Sequence, residues 1–181
     1  MNKPVRLLTI AITTLILATL AVEASLAKLS NQSKLLLNGI GDVPIGLTVA
    51  ETAKAAGIKL VSLDSSSPKD ACYYVKPQGL KDVGFMVIDG KVARVDVWRE
   101  SKITTLRGAK IGDSEARIKS LYAGQIKVTP HKYTMGGHYL TFVPKDKADK
   151  NYRLVFETDG KRVTQMRSGK LPEVEYIEGC S

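Results

Sequence analysis

Apolar and β-branched residues gather in short runs on either side of an Asp-Gly pair, and the chain does this twice. Gly84 to Ile88 and Val92 to Trp98 flank Asp89-Gly90, while Tyr152 to Glu157 and Arg162 to Arg167 flank Asp159-Gly160. Asp-Gly suits the positive φ angles of a type I′ turn, so each pattern predicts a β-hairpin. In that register Glu157 faces Arg162 across the second ladder. Two further strand-like runs precede each hairpin: Ile58 to Ser62 and Cys72 to Val75, then Gln125 to Val128 and His138 to Val143. Farther upstream the apolar spacing becomes helical. Thr48 caps the first helix and Glu51 completes a capping box. Val49, Ala50, Ala53, Ala55 and Ala56 give that helix a small apolar face, and Gly57 ends it. Ser114 caps the second helix, where Arg117 replaces the box acid. Ile118, Leu121 and Tyr122 share its inner face, and Gly124 ends it. The tail, Val174 to Ile177, reads as an edge strand with Glu173 and Glu175 on its solvent side.

These elements recur at a nearly constant offset. Ile45-Gly46-Leu47-Thr48-Val49-Ala50 returns 66 residues later as Ile111-Gly112-Asp113-Ser114-Glu115-Ala116, and Asp89-Gly90-Lys91 returns 70 residues later as Asp159-Gly160-Lys161. A longer loop, Lys145 to Lys150, absorbs the difference. The expected fold is α+β: two tandem repeats, residues 45–110 and 111–181, each a short helix followed by an antiparallel sheet. A lead-in at 28–44 precedes them, loose around Lys28 to Lys34. Each unit has one sheet face for its helix to cover. Two such sheets side by side would present a broad open face, and function is expected there.

The N-terminus carries Lys3 and Arg6 ahead of an uncharged, mostly apolar run from Leu7 to Val22. With small residues at Ser25 and Ala27, residues 1–27 read as a secretion signal, and Val22-Glu23-Ala24 is the alternative cleavage site. The run is short for a spanning helix, which needs about 20 residues, so no transmembrane span is expected after cleavage. Export to the periplasm or the medium changes the reading of Cys72 and Cys180. An isolated pair in an oxidising compartment forms a disulfide, here joining the two repeats. Closing so long a loop is worth at most about 4–5 kcal/mol in the chain-entropy picture.

Without residues 1–27 the chain keeps 25 basic and 17 acidic residues, a net charge of +8. The excess is spread evenly over both repeats, which argues against nucleic acid, since that needs a patch or stripe. Loose attraction to anionic glycan or lipid fits better and would weaken with salt. No cofactor is implied. His131 and His138 stand seven residues apart with no carboxylate between them, too few ligands for a metal. There is no Gly-x-Ser-x-Gly elbow, and Ser65 to Ser67 read as a loop ending at Pro68. Aromatic residues are the better lead. Tyr73 and Tyr74 are adjacent on one strand and must point to opposite faces, and Phe142 is expected inward. Tyr74, Trp98, Arg99 and Tyr139 have the composition of an interface hot spot and are the candidate partner-binding residues.

The Gly, hydroxyl cap, helix and antiparallel sheet order resembles the small outer-membrane assembly lipoproteins of the SmpA/OmlA type. Doubled in tandem, it resembles the secreted β-lactamase inhibitory proteins, whose two repeats form one concave, aromatic-rich surface that binds an enzyme. This chain departs from both in lacking a lipoprotein cysteine and in carrying a bridge between repeats. The phrase Thr104 to Glu115 and the ending Glu178-Gly179-Cys180 also look like uncharacterised secreted bacterial proteins. Together these imply a non-catalytic module that engages a protein partner, as inhibitor or envelope assembly adaptor. An envelope module binding anionic glycan or lipid is the alternative, and an uncharacterised hydrolase the second.

Overall fold

The computed structural model describes residues 28–63 and 71–180. The signal read at 1–27 and the serine loop at Ser65 to Ser67 lie outside the described residues. In chain order the strands are β1 (Lys34–Leu36), β2 (Gly39–Ile40), β3 (Val43–Pro44), β4 (Leu60–Ser62), β5 (Cys72–Pro77), β6 (Val83–Ile88), β7 (Lys91–Val97), β8 (Thr104–Thr105), β9 (Ile126–Pro130), β10 (His138–Phe142), β11 (Tyr152–Thr158) and β12 (Val163–Lys170). Helix α1 (Val49–Ala56) lies between β3 and β4, and α2 (Glu115–Leu121) between β8 and β9. The fold is α+β and mostly β. No helix among the described residues is long and apolar enough to cross a membrane.

Eight strands form one antiparallel sheet in the order β4-β5-β6-β7-β12-β11-β10-β9. Its seam is the pairing of β7 with β12, which sets Val97 opposite Met166, Asp96 opposite Arg167 and Arg94 opposite Gly169. Because side chains alternate along a strand, one face carries Val75, Phe85, Val87, Val95, Met166, Phe156 and Leu140. That face is buried against α1, α2 and a second, four-stranded sheet in the order β3-β2-β1-β8. Tyr122 from α2 meets Phe142 and Phe156 at ring distances of 5.0 and 5.5 Å. Each large apolar side chain sealed here contributes roughly 1.5–3 kcal/mol.

The local start signals are present. Thr48 and Glu51 form the capping box, Gly57 takes the left-handed conformation (φ 61°), and Ser114 accepts from the Arg117 N–H. Asp89 and Gly90 both have positive φ, and the two-residue turn joins Ile88 to Lys91. In each half the segment before the helix is tied to the strand after the hairpin turn. Gly46 donates to Val92 and Val92 to Leu47; Gly112 donates to Val163 and Val163 to Asp113.

Five expectations need correction. The lead-in is not loose: Leu29 docks on the end of α1, and Leu35, Ile40 and Val43 enter the core through β1 to β3. In α1 the buried positions are Thr52 and Ala56, and Ala50 is exposed. Thr52 tolerates burial because its hydroxyl donates to the Thr48 carbonyl at 2.8 Å. Helix α2 stops at Leu121 with Tyr122 as its cap, ahead of Gly124. The second Asp-Gly does not make a two-residue turn. Asp159 Oδ1 accepts from the N–H groups of Lys161 and Arg162, which shifts the register so that Glu157 faces Gln165 and not Arg162.

The largest correction concerns the tail. Residues 171–180 form no edge strand; they cross the second face of the large sheet as a strap, with a 3₁₀ turn at Glu173–Glu175. Val174 is fully buried against Tyr139 and Val155, so the expected open face is covered at its centre. Glu173 and Glu175 therefore border this turn and do not line a strand. The disulfide Cys72–Cys180, spanning 108 residues, pins the far end of the strap to β5. Replacing both cysteines (Cys72→Ser, Cys180→Ser) is expected to cost about 2–4 kcal/mol of stability. The urea unfolding midpoint reads this, and an unchanged midpoint would show that the bridge contributes nothing to the folded chain.

Candidate functional site

Strands β7 and β12 lie mid-sheet, so alternation sends Arg94, Asp96 and Arg167 beneath the strap. All three are buried, at 3%, 0% and 2% exposure. Arg94 Nε donates to Asp96 Oδ2 at 2.9 Å, and Arg167 pairs with Glu157 from β11. Each buried guanidinium thus has its own carboxylate, the condition under which burying charge is tolerable. The remaining N–H groups read the strap's backbone. Arg94 Nη1 donates to the carbonyls of Glu173 (3.0 Å) and Tyr176 (2.7 Å), and Arg167 Nε donates to that of Val174 (2.7 Å). Arg94 Nη2 donates to the Tyr74 hydroxyl at 2.5 Å. Burial, and then the negative charge of Asp96, push the Tyr74 phenol far above its usual range. Burial works against the Arg94 charge, but Asp96 and Tyr74 outweigh it and hold the guanidinium above its ordinary value. Gly169 is needed beside this group, because a Cβ there would come within 2.7 Å of the Ala93 carbonyl and about 3 Å of Arg94.

Trp98 follows β7 on the same face, nearer the β4 edge. The six-membered ring of its indole lies against Gly84, where a Cβ would sit 2.2 Å from the ring. Glycine in β6 is therefore a seat for the tryptophan. Tyr74 stands 6.3 Å away at a tilt of 50°. Trp98 is half-buried and walls an open cleft of about 540 Å³, with Val61, Leu63 and Leu80 as apolar lining and Lys76 and Lys81 at its rim. Arg99 is exposed in the turn that leaves the strand. The structure thus brings Tyr74, Trp98 and Arg99 to one end of the sheet and leaves Tyr139 out. Tyr139 is on β10, buried to 6%, stacked on His131 at 4.5 Å and covered by Val174. Burial leads the causes that raise its phenol pKa.

Both histidines sit beside carboxylates that the sequence separation hid. His131 Nδ1 accepts from the N–H groups of Tyr133 and Thr134 at 3.1 Å, and its Nε2 faces Glu157 at 3.4 Å. Both ring nitrogens are occupied, so His131 holds the β9–β10 loop in shape. His138 Nδ1 lies 2.8 Å from Glu115, which also accepts from Thr158 at 2.6 Å. Among the described residues no cluster of three potential ligands could hold a metal.

The buried ion pairs are what sequence reasoning missed. In Val92 to Val97 the charges alternate with valines, the pattern of a solvent-facing strand side. Opposite signs two residues apart on a strand with apolar neighbours were the available hint.

No protein-family model matches the chain, and no curated protein matches it. Among solved structures, the uncharacterized protein YfeY from Escherichia coli aligns at 15% identity with a TM-score of 0.47, covering 76% of this chain and 99% of that one.

Two predictions follow from the charges. Asp96→Leu should destabilise the chain by about 3–5 kcal/mol by leaving Arg94 buried without its anion, and Arg94→Met combined with Asp96→Leu should cost less than the two single losses added together. Chemical denaturation of the two single variants and the double variant checks this, and simple additivity would contradict it. Glu115 loses some charge stability to burial, yet hydrogen bonds from Thr158, His138 and Lys119 hold its carboxyl below the usual range. The stabilisation is complete above the ordinary carboxylate pKa and is lost as pH falls through the lower folded value. Glu115→Gln should flatten the acid limb of a Tm-against-pH curve and leave its neutral-to-alkaline shape unchanged.

Proposed function

We propose that this chain is an exported, non-catalytic binding module of two tandem repeats, residues 45–110 and 111–181, that engages a protein partner as inhibitor or assembly adaptor. The repeat reading is supported by the recurring phrases and by equivalent contacts, Gly46 and Gly112 each bonded to the strand beyond a hairpin turn. It is supported too by a strand order that runs outward from the β7–β12 seam in both halves. The disulfide fits an oxidising compartment, as a signal at residues 1–27 would require.

The observation that carries the binding reading is Trp98: half-exposed, seated on Gly84, and set beside a cleft with apolar residues and a polar border of Lys76, Lys81 and Asp82. A preformed aromatic anchor loses little side-chain freedom on binding, which is why such residues dominate interfaces. Arg99, Lys76 and Lys81 would supply the polar rim, and Tyr74 would brace the indole from behind. Tyr139 belongs to the strap's seat and not to this surface.

The test is cross-linking of the processed chain in extract of its own cell envelope. One dominant protein partner, captured at high salt, is expected, with Trp98→Ala reducing its capture at least tenfold while the fold persists (about 1.4 kcal/mol or more). Capture unaffected by Trp98→Ala would place the surface elsewhere. Retention on anionic polymers or vesicles, and only at low salt, would favour the glycan or lipid reading.

A further inference from the structure

The strap is seated in a way that a foreign segment could copy. Its main hold on the sheet is three backbone carbonyls read by Arg94 and Arg167, which any sequence can offer. A single side chain, Val174, is fully buried, between Tyr139 and Val155. Tyr176 and Ile177 point outward, at 42% and 40% exposure. One acid of the strap meets a cation, Lys132 holding Glu178 at 2.6 Å, while Arg94 and Arg167 read backbone carbonyls and not carboxylates.

The seat also stays electrically balanced without its occupant. Asp96 remains with Arg94, and Glu157 with Arg167, when the strap leaves. Nor does the strap satisfy the seat completely. Asp96 Oδ1 is buried on the same face with no hydrogen bond among the described residues, and Glu173 Oε2 is likewise buried without one. Among the described residues no strand follows β12, so the strap can depart without withdrawing any strand. What closes it is Cys72–Cys180, and that bridge lines an open cleft of about 520 Å³ together with Ile88 and Lys132, so a thiolate can reach it. A second cleft of about 190 Å³ continues along Lys127, Thr129 and Thr141 on the other side of the strap.

We propose that this face is a binding groove for an extended partner-protein segment carrying a β-branched residue, closed in cis by residues 171–180 and opened when a dithiol reductant cleaves Cys72–Cys180. A thiolate of the dithiol attacks one sulfur of the bridge, forming a mixed disulfide and releasing the other cysteine as a thiol. The second thiol of the reductant then closes its own disulfide and frees the remaining cysteine, so two electrons and two protons pass to the pair. The released strap exposes the two guanidiniums and the Val174 seat. An extended partner segment that offers three backbone carbonyls around a β-branched residue, as Glu173 to Tyr176 do around Val174, takes the same contacts. This groove is separate from the Trp98 cleft and stands or falls independently of it.

The test uses the full chain carrying Cys72→Ser, Cys180→Ser and Val174→Asp. The last change keeps the tail from returning, because a tethered segment competes at an effective concentration on the order of millimolar. A fluorescein-labelled peptide with the sequence of residues 171–178 is titrated by anisotropy. Saturable binding is expected, at least tenfold weaker for a peptide with aspartate in place of its valine, and absent for the oxidised wild-type chain. Equal binding of both peptides, or none by a variant whose circular dichroism retains the sheet, overturns the proposal. A dimer of the Cys72→Ser, Cys180→Ser chain that excludes the peptide also overturns it, assigning the groove to a second copy. If the triple variant loses its sheet, the wild-type chain decides. With dithiothreitol its tail should become open to carboxypeptidase while the sheet persists, and continued resistance of the reduced tail rejects the groove.

Discussion

Strands β7 and β12 run antiparallel from Arg94–Val97 to Met166–Gly169, and that short ladder turns two modest sheets into one of eight strands. A strand at the edge of a four-stranded sheet would leave Arg94 and Asp96 beside water. Paired on both sides, β7 becomes an interior strand and its polar side chains must find partners within the protein. The ladder also sets Asp96 opposite Arg167, so charges from distant parts of the chain meet at the middle of one face. The disulfide, the strap and the buried ion pairs all depend on this seam.

The two faces of the sheet are finished by different physics. One is sealed by apolar contact with α1, α2 and the small sheet, where shape and volume decide the packing. The other is roofed by a strap that has little apolar surface to offer and is held by directed hydrogen bonds from guanidiniums to carbonyls. Such bonds are strong only because the donors are charged and shielded from water. Balanced pairs within the sheet make those donors tolerable, so the roof and its seat are separable in a way the core is not.

At the β4 end the described residues leave the same face open, and there Trp98 is the main feature. Its position follows from two residues, Gly84 for the seat and Val97 for the alternation that turns the next side chain away from the core. Trp98 and Arg99 were legible as candidates from residue type and strand position. Tyr74 was legible too, although its hydroxyl turns inward to Arg94. Tyr139 had the same composition signal and a different fate, because residue type says nothing about what will lie above a strand.

The chain's own residues determined whatever depends on a few neighbouring backbone groups. Thr48 with Glu51, Ser114, Gly57 and Asp89-Gly90 each place a side chain or a positive φ where a free N–H or a tight turn needs it, within four residues. The number and rough limits of the main strands followed, as did the Cys72–Cys180 bridge, since two cysteines allow one pairing. The tertiary structure alone decided the lead-in, whose strands β1 to β3 complete their small sheet by pairing with Thr104–Thr105, 70 residues away. It also decided the second hairpin, where Asp159 bonds its own following N–H groups and the register shifts. Above all it decided which charged positions are buried. Arg94 alternates with valines, and Arg167 lies in the polar run of β12, just as solvent-facing side chains do. Only the β7–β12 pairing and the strap above it, both contacts between residues far apart in the chain, remove them from water.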